Sequence, residues 1–393
     1  MAFSLTPVSG EDFIGRGAIL SELVNELSSK SRVGFSLSGI RRIGKTSILK
    51  EARRRLVENS KTAVIYVSVW RVSPDTVDEF VRVLNRASLS AFEDRLPAKF
   101  KFEELLATGA GALRRFLQSL KLSAKVAEDL ELSISYVRRE SKDVDAAITK
   151  SFSVVEDLAE MTKTRCVLMI DEFPSIEDLT YGSKNQKIGD SIVKLVRTLY
   201  EEFRFTKLVI SGSYRDTLQN VVTKQKAPFY KQLLLREVGP FNESEFEEFV
   251  GRYLPDLRFL DKDAKRELYE VSSGIPYNLQ LLGKEIQYMG LREINAQGIR
   301  EVVEVALEKE GELSFREFVE NLTPSEVKVL KALSKSPDMK PSDIATKQFM
   351  DDDTVSSSLN LLVKKGILRR RTRGVYEFAD NLFAKWLQKA DTV

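Results

Sequence analysis

The stretch GIRRIGKT, residues 39–46, limits this chain more than any other feature. Two glycines stand five positions apart, followed by a lysine and a hydroxyl residue, in the pattern G-x-x-x-x-G-K-[ST]. Before it lies RVGFSLSG (32–39), an apolar run of strand length. After it comes KTSILKEARRRLVEN (45–59), which has the composition of a helix. Glycines at those two places let the backbone curl until successive N–H groups point inward, and the following helix adds its positive dipole end. Such a loop suits a phosphate group. The residues that would form the cradle are Gly39, Ile40, Arg41, Arg42, Ile43, Gly44, Lys45, Thr46 and Ser47.

A strand, a tight loop and a helix in succession call for a parallel sheet, and the rest of residues 1–241 supplies its parts. TAVIYVSVW (62–70), RCVLMIDEF (165–173) and TKLVISGS (206–213) read as further strands buried on both faces, with LLLREVGPF (233–241) as a shorter fifth. Between the second and third strands, residues 74–164 form an insertion. DTVDEFVRVLNRASLSAFEDRL is periodic as a helix, while LKLSAK (120–125) and LELSISYV (130–137) alternate as a hairpin would. Beyond residue 241 the strand signals stop. Asn242 followed by acidic residues opens a helix, and residues 242–318 read as an all-helical unit. Residues 319–393 change character again. Thr323, Pro324 and Glu326 make a strong helix start, two short helices follow, and ILRRRTRGVYEFAD is a hairpin with Gly374 at its tip. Three helices and a hairpin describe a winged helix-turn-helix.

Composition narrows the chemistry. The chain of 393 residues has no histidine, which removes Ser-His-Asp and Cys-His nucleophile systems and the usual zinc clusters. Its single cysteine, Cys166, lies in an apolar strand and reads as a buried structural thiol. A net charge of +3 is near balance, so nucleic-acid binding would need a local patch. The expected compartment is the cytoplasm, because no apolar run reaches membrane length and the start lacks the form of a signal peptide.

The second chemical signal is Asp171 and Glu172 at the end of VLMIDE. Asp171 can steady a magnesium ion together with the Thr46 hydroxyl, and Glu172 can act as general base on an attacking water. Standing alone, an acidic pair reads as the end of a strand; beside GIRRIGKT the catalytic assignment, Glu172 with Lys45, gains the advantage. Ser211 and Ser213 end the next strand and are candidate sensors of the γ-phosphate, the alternative being a tight turn of small residues.

With these residues the chain resembles the archaeal ATPase family of P-loop proteins, close to the AAA+ and STAND ATPases and similar in layout to archaeal origin-recognition ATPases. FIGR (13–16), GIRRIGKTSIL, LMIDEF, the SGS strand end, SGIPYNLQLLG (273–283) and YEFADNLFAKWL (376–387) carry the resemblance. It implies ATP or ADP with Mg²⁺ as ligands. It also implies that Phe13, Ile14, Gly15 and Arg16 lie along the adenine, with Pro276 closing over it and Tyr277 beside it. The other account of GIPY is a proline-initiated helix packed on its own domain. Two departures stand out: Lys231 and Gln232 occupy the place of a glycine and arginine, and Gly17 replaces an acidic residue. No transition-state arginine is therefore assignable, Arg215 and Arg236 being guesses, and slow turnover is expected.

In the last unit, TVSSSLNLLVKKG is the candidate recognition helix. Thr354, Ser356, Ser357, Ser358 and Asn360 are expected on its exposed face, and Arg369, Arg370, Arg371 and Arg373 on the wing. They would meet double-stranded DNA. Asp351, Asp352 and Asp353 at the same helix start oppose that, and favour a protein partner or self-association. The expected function is a slow Mg²⁺-dependent ATPase whose nucleotide state repositions the winged helix. Its rival is a STAND-like switch that holds ADP and recruits proteins. A phosphoryl transferase is the weakest alternative, because no acceptor pocket is legible.

Overall fold

The computed structural model describes residues 2–59, 61–96, 102–108, 110–138, 142–213, 229 and 232–390. Five strands, β1 (Gly34–Ser38), β2 (Ala63–Ser68), β3 (Cys166–Asp171), β4 (Thr206–Gly212) and β5 (Leu233–Glu237), form one parallel sheet in the order β2-β3-β4-β1-β5. Every residue of β1, β3 and β4 is buried, as expected for strands covered by helices on both faces. Register then sets the site: Ser38 lies opposite Gly212, and Ser68 opposite Asp171. The phosphate loop and the acidic pair thus leave the same sheet edge. Cys166 is buried, and burial pushes its thiol pKa up.

Alternation along each strand divides its side chains between two cores. Helices α1 (Gly17–Ser28) and α2 (Lys45–Asn59) cover Val167, Met169 and Val209 with Leu20, Leu23, Leu27, Ile48 and Leu56. The opposite face, with Leu168, Ile170, Leu208 and Ile210, belongs to the core of the insertion. That insertion comprises α3 (Val77–Phe92), α4 (Phe102–Ala107), α5 (Ala110–Ser119), α6 (Ala124–Val137) and α7 (Val144–Met161), with α8 (Ser191–Glu202) beyond β3.

The hairpin expected at 120–137 is absent: LELSISYV lies within α6. In so short a run Leu130 and Ile134 satisfy both a period of two and a period of 3.6. The helix prevails because Ser123 caps it, accepting from the Val126 amide, and because Val126, Leu130 and Ile134 bury together. Leu132, which a strand would bury beside them, is exposed.

The chain continues through α9 (Glu243–Tyr253), α10 (Lys262–Ser272), α11 (Pro276–Tyr288), α12 (Ala296–Ala306), a π-helical turn at Leu307–Gly311, and α13 (Glu312–Glu320). Asn242 and Glu245 close the capping box at the start of α9. The expectation of an all-helical unit needs one correction: Arg258–Phe259 pairs in parallel with Glu293–Ile294, a ladder too short to leave a sequence signal. The winged helix follows as α14 (Pro324–Lys335), α15 (Pro341–Gln348), α16 (Asp352–Lys364), β6 (Leu368–Thr372) and β7 (Val375–Phe378), and α17 (Asn381–Lys389) ends the described chain. Phe383 of α17 lies 5.3 Å from both Phe315 and Phe318, and Trp386 lies 5.7 Å from Phe315. The α9–α13 unit and the winged helix therefore share one continuous apolar core. Among the described residues no helix is long and apolar enough to cross a membrane.

Candidate functional site

The loop at 39–46 closes where β1 meets α2, and its backbone demands the residues it has. A Cβ at Gly39 would come within 2.6 Å of the Val238 carbonyl oxygen, and Gly44 adopts φ +100°. Lys45 is buried. Its Nζ donates to Gly39 O at 3.0 Å, Ile40 O at 3.1 Å and Ser213 Oγ at 3.3 Å. Burial pulls the ammonium pKa down, opposed by the charges of Glu172 and Asp171.

Asp171 is the hub opposite the loop. Its Oδ2 accepts from Thr46 Oγ1 at 2.7 Å and from the Tyr66 hydroxyl at 2.8 Å, and its Oδ1 accepts from Ser211 Oγ. Tyr66, on β2, was not singled out from the sequence. Only the pairing of β2 with β3 brings its hydroxyl to Asp171. Burial, then the Asp171 charge, push the Tyr66 pKa up, so the phenol stays a donor. Glu172 sits in left-handed backbone at φ +54°. Its carboxylate accepts from Ser213 Oγ at 2.6 Å and from Ser213 N at 3.1 Å. The two serines thus engage the acidic pair. A hydroxyl against one carboxylate is the all-oxygen donor set that suits magnesium, which keeps several waters and binds through one or two protein groups plus phosphate.

A cavity of about 400 Å³ opens over the loop, lined by Phe13, Ile14, Arg16, Pro276 and Tyr277 together with Lys45, Thr46, Glu172 and Ser213. Phe13 and Ile14 are buried in its wall. Gly15 instead packs against the Glu245 side chain, where a Cβ would meet Glu245 atoms at 3.0 Å. Arg16 is buried and bonded within the protein. Its Nη2 donates to Ile43 O at 3.1 Å and its Nη1 to Pro240 O at 3.3 Å; its guanidinium lies 3.8 Å from Glu245 and 4.6 Å from the Phe241 ring. The loop, the connection at Pro240 between β5 and α9, which is the hinge of the chain here, and α9 itself are joined through that one side chain.

Two parts of the wall carried no sequence signal. One is the segment 4–8, fastened over α2 by Val8 N to Ser47 Oγ (3.2 Å) and Lys50 Nζ to Pro7 O (3.1 Å), with Gly10 N donating to Glu51 at 2.8 Å just beyond it. The other is Trp70. Of the arginines weighed for catalysis, Arg236 is bound to Glu22 and Arg215 lies outside the described residues.

Comparison with known proteins agrees with this geometry. Residues 13–282 match the family described as "ATPase domain predominantly from Archaea". The chain belongs to this archaeal ATPase family. Among solved structures it is similar to the Walker-type ATPase PABY2304 of Pyrococcus abyssi, with a TM-score of 0.67 at 21% identity over 99% of this chain and 100% of that one. It is also similar to the ORC2 protein of Aeropyrum pernix, solved as ADPNP-ADP complexes, with a TM-score of 0.59 at 12% identity over 97% of this chain and 95% of that one. No curated protein matches the sequence.

At the other end of this archaeal ATPase, residues 320–375 match the MarR family, in keeping with the winged helix seen there. Ser356, Ser357 and Asn360 are exposed along α16. Thr354 is half-buried and donates both its amide and its hydroxyl to Asp351, each at 2.7 Å. Ser358 corrects the expectation: it is buried, because it follows Val355 by three positions on the core face of the helix. Arg369, Arg370, Arg371 and Arg373 are exposed on the wing, and none forms an ion pair among the described residues. The pairing shifts between Arg370 and Thr372, so Arg371 sits at a bulge.

Proposed function

We propose that this protein binds ATP with Mg²⁺ in the 400 Å³ cavity and hydrolyses it slowly, and that the nucleotide state repositions the winged helix on double-stranded DNA in the cytoplasm. Functionally, residues 1–241 are the core, 242–318 the lid and 319–393 the reader. The observation that carries the reading is the contact of Thr46 with Asp171 directly beneath the loop. Magnesium would be held by Thr46 and Asp171 and would offset phosphate charge. Lys45 would exchange its loop carbonyls for β- and γ-phosphate oxygens. Glu172, released from Ser213, would take the proton of the attacking water as the bond to the terminal phosphorus forms and ADP leaves.

Contacts that support such coupling run from the loop to both later units. Arg42 lies 4.3 Å over Tyr277 of the lid and 5.7 Å over Phe315. A side-chain carbon at Gly366, in the turn after α16, would stand 3.2 Å from Ile40 of the loop. A loop that rearranges around phosphate therefore moves its neighbours. For DNA, four exposed arginines on the wing speak in favour, against Asp352 and Asp353 on the first turn of α16.

Turnover and nucleotide binding in two variants test the enzyme. Glu172→Gln should abolish hydrolysis while retaining ATP, and Lys45→Ala should cripple binding; undiminished turnover in Glu172→Gln would refute the assignment. DNA titrated against salt should lose a slope of up to ~0.9 per phosphate contact removed when the wing arginines become alanine. An unchanged slope removes the DNA partner. One observation favours the rival switch: both Lys45 and Glu172 are engaged by Ser213. ADP retained through purification, without turnover, would establish an ADP-holding protein with protein partners instead.

A further inference from the structure

The two adjacent arginines of the phosphate loop go separate ways. Arg42, in left-handed backbone at φ +68°, turns to the aromatic rings of the lid. Arg41 is exposed and turns toward β2, where its guanidinium lies 5.2 Å from the centre of the Trp70 ring. Among the described residues it has no ion pair. Trp70 is itself unusual, an indole left 53% exposed at the cavity. Its Nε1 donates to Ser175 Oγ at 3.0 Å, and the Ser175 amide donates to Glu172 O at 3.1 Å. The ring that carries Arg41 is thus tied to the residue assigned as the general base.

Arg41, Trp70, Lys45, Glu172 and Ser213 all face one cavity. The charge of Arg41 also reaches Lys45, where it adds to the burial that pulls the ammonium pKa down. The other two arginines that line the cavity are engaged: Arg16 by two carbonyls and Glu245, Arg42 by Tyr277. An exposed guanidinium on an aromatic face is held by only ~0.5–1 kcal/mol. Charge-assisted, bidentate bonds to phosphate are roughly twice as strong as neutral hydrogen bonds and fit the planar fork. Arg41 therefore has a weak resting place beside a strong destination.

We propose that Arg41 is a catalytic residue that leaves Trp70 to bind the γ-phosphate oxygens of ATP, supplying in cis the cation that steadies the charge of the transferring group. This rests on the proposed ATP hydrolysis. Arg41 stays protonated throughout and forms no covalent bond. ADP lacks the terminal oxygens, so with ADP bound Arg41 remains on the indole.

Tryptophan emission and turnover test this together. The chain has two tryptophans; Trp386 is buried, and a Trp70→Phe variant assigns the signal. A non-hydrolysable ATP analogue with Mg²⁺ should change Trp70 emission where ADP does not, and the change should vanish in Arg41→Ala. In that variant kcat should fall about 10³-fold or more while ADP affinity moves less than about threefold, and Arg41→Lys should restore only part of the rate. Equal emission with both nucleotides, or kcat in Arg41→Ala within about threefold of the parent, overturns the proposal. A parent that binds nucleotide without turning it over removes the hydrolysis reading and the catalytic role with it, while the emission comparison still decides whether Arg41 meets the γ-phosphate. A parent that binds no nucleotide removes both.

Discussion

Replacing Arg16 with alanine should destabilise the protein by about 3–5 kcal/mol, the range for removing one partner of a buried, hydrogen-bonded charge. The structure shows why the effect is large. Arg16 Nη2 and Nη1 donate to Ile43 O and Pro240 O at 3.1 and 3.3 Å, and bonds from a charged donor contribute about 1.5–3 kcal/mol each. The guanidinium also lies over Phe241, which adds roughly 1 kcal/mol. Opposing these is the cost of burying the cation, seen in a lowered Arg16 pKa that Glu245 only partly restores. That cost offsets part of the gain. Lysine keeps the charge but lacks the fork that serves two carbonyls, so Arg16→Lys should recover about half. Urea unfolding followed by circular dichroism, with and without nucleotide, measures both. Because Arg16 ties the loop to the hinge, the alanine variant should also bind ATP about tenfold more weakly, or 1.4 kcal/mol. A loss below about 1 kcal/mol, or a lysine variant equal to the parent, would refute the reasoning.

Three further outcomes are expected. Glu51 is buried, which raises its pKa, but hydrogen bonds from Arg54, the Gly10 amide and Arg55 outweigh that and hold it at about 2 against an ordinary 4.5. Its stabilisation is complete above pH 4.5 and disappears as pH falls toward 2; acid unfolding of Glu51→Gln should therefore be flatter in that window, by about 1–2 kcal/mol after screening at the part-exposed arginines, and parallel curves would count against it. Gly39→Ala should clash with the Val238 carbonyl and lower stability by about 1–3 kcal/mol, measured by thermal melting, with weakened nucleotide binding in the same protein. Ile134→Ala should cost about 2–5 kcal/mol in urea unfolding while Leu132→Lys stays within about 0.5 kcal/mol, because α6 buries the first and exposes the second. A hairpin would bury both residues on one face and make both substitutions costly.

The boundary between what the residues announce and what folding decides follows the range of the interactions involved. GIRRIGKT, the buried strands around VLMIDE and LVISGS, and the caps at Asn242 and Thr323 are local: each needs only neighbours a few positions away to produce a loop, a strand or a helix start. They were legible for that reason, and so were the parallel-sheet core and the winged helix at the other end. The failures are equally physical. LELSISYV fits two periods in eight residues, and its packing with α3 and α7, together with the Ser123 cap, selects the helix. Tyr66 on Asp171, Trp70 under Arg41 and Arg16 bridging loop to hinge join positions far apart in the chain, and no spacing within one segment encodes them. The sequence by itself determined that a glycine loop would turn from a strand end into a helix. Only the strand order β2-β3-β4-β1-β5, set by which apolar faces bury against which helices, decided which hydroxyls, rings and cations stand around it.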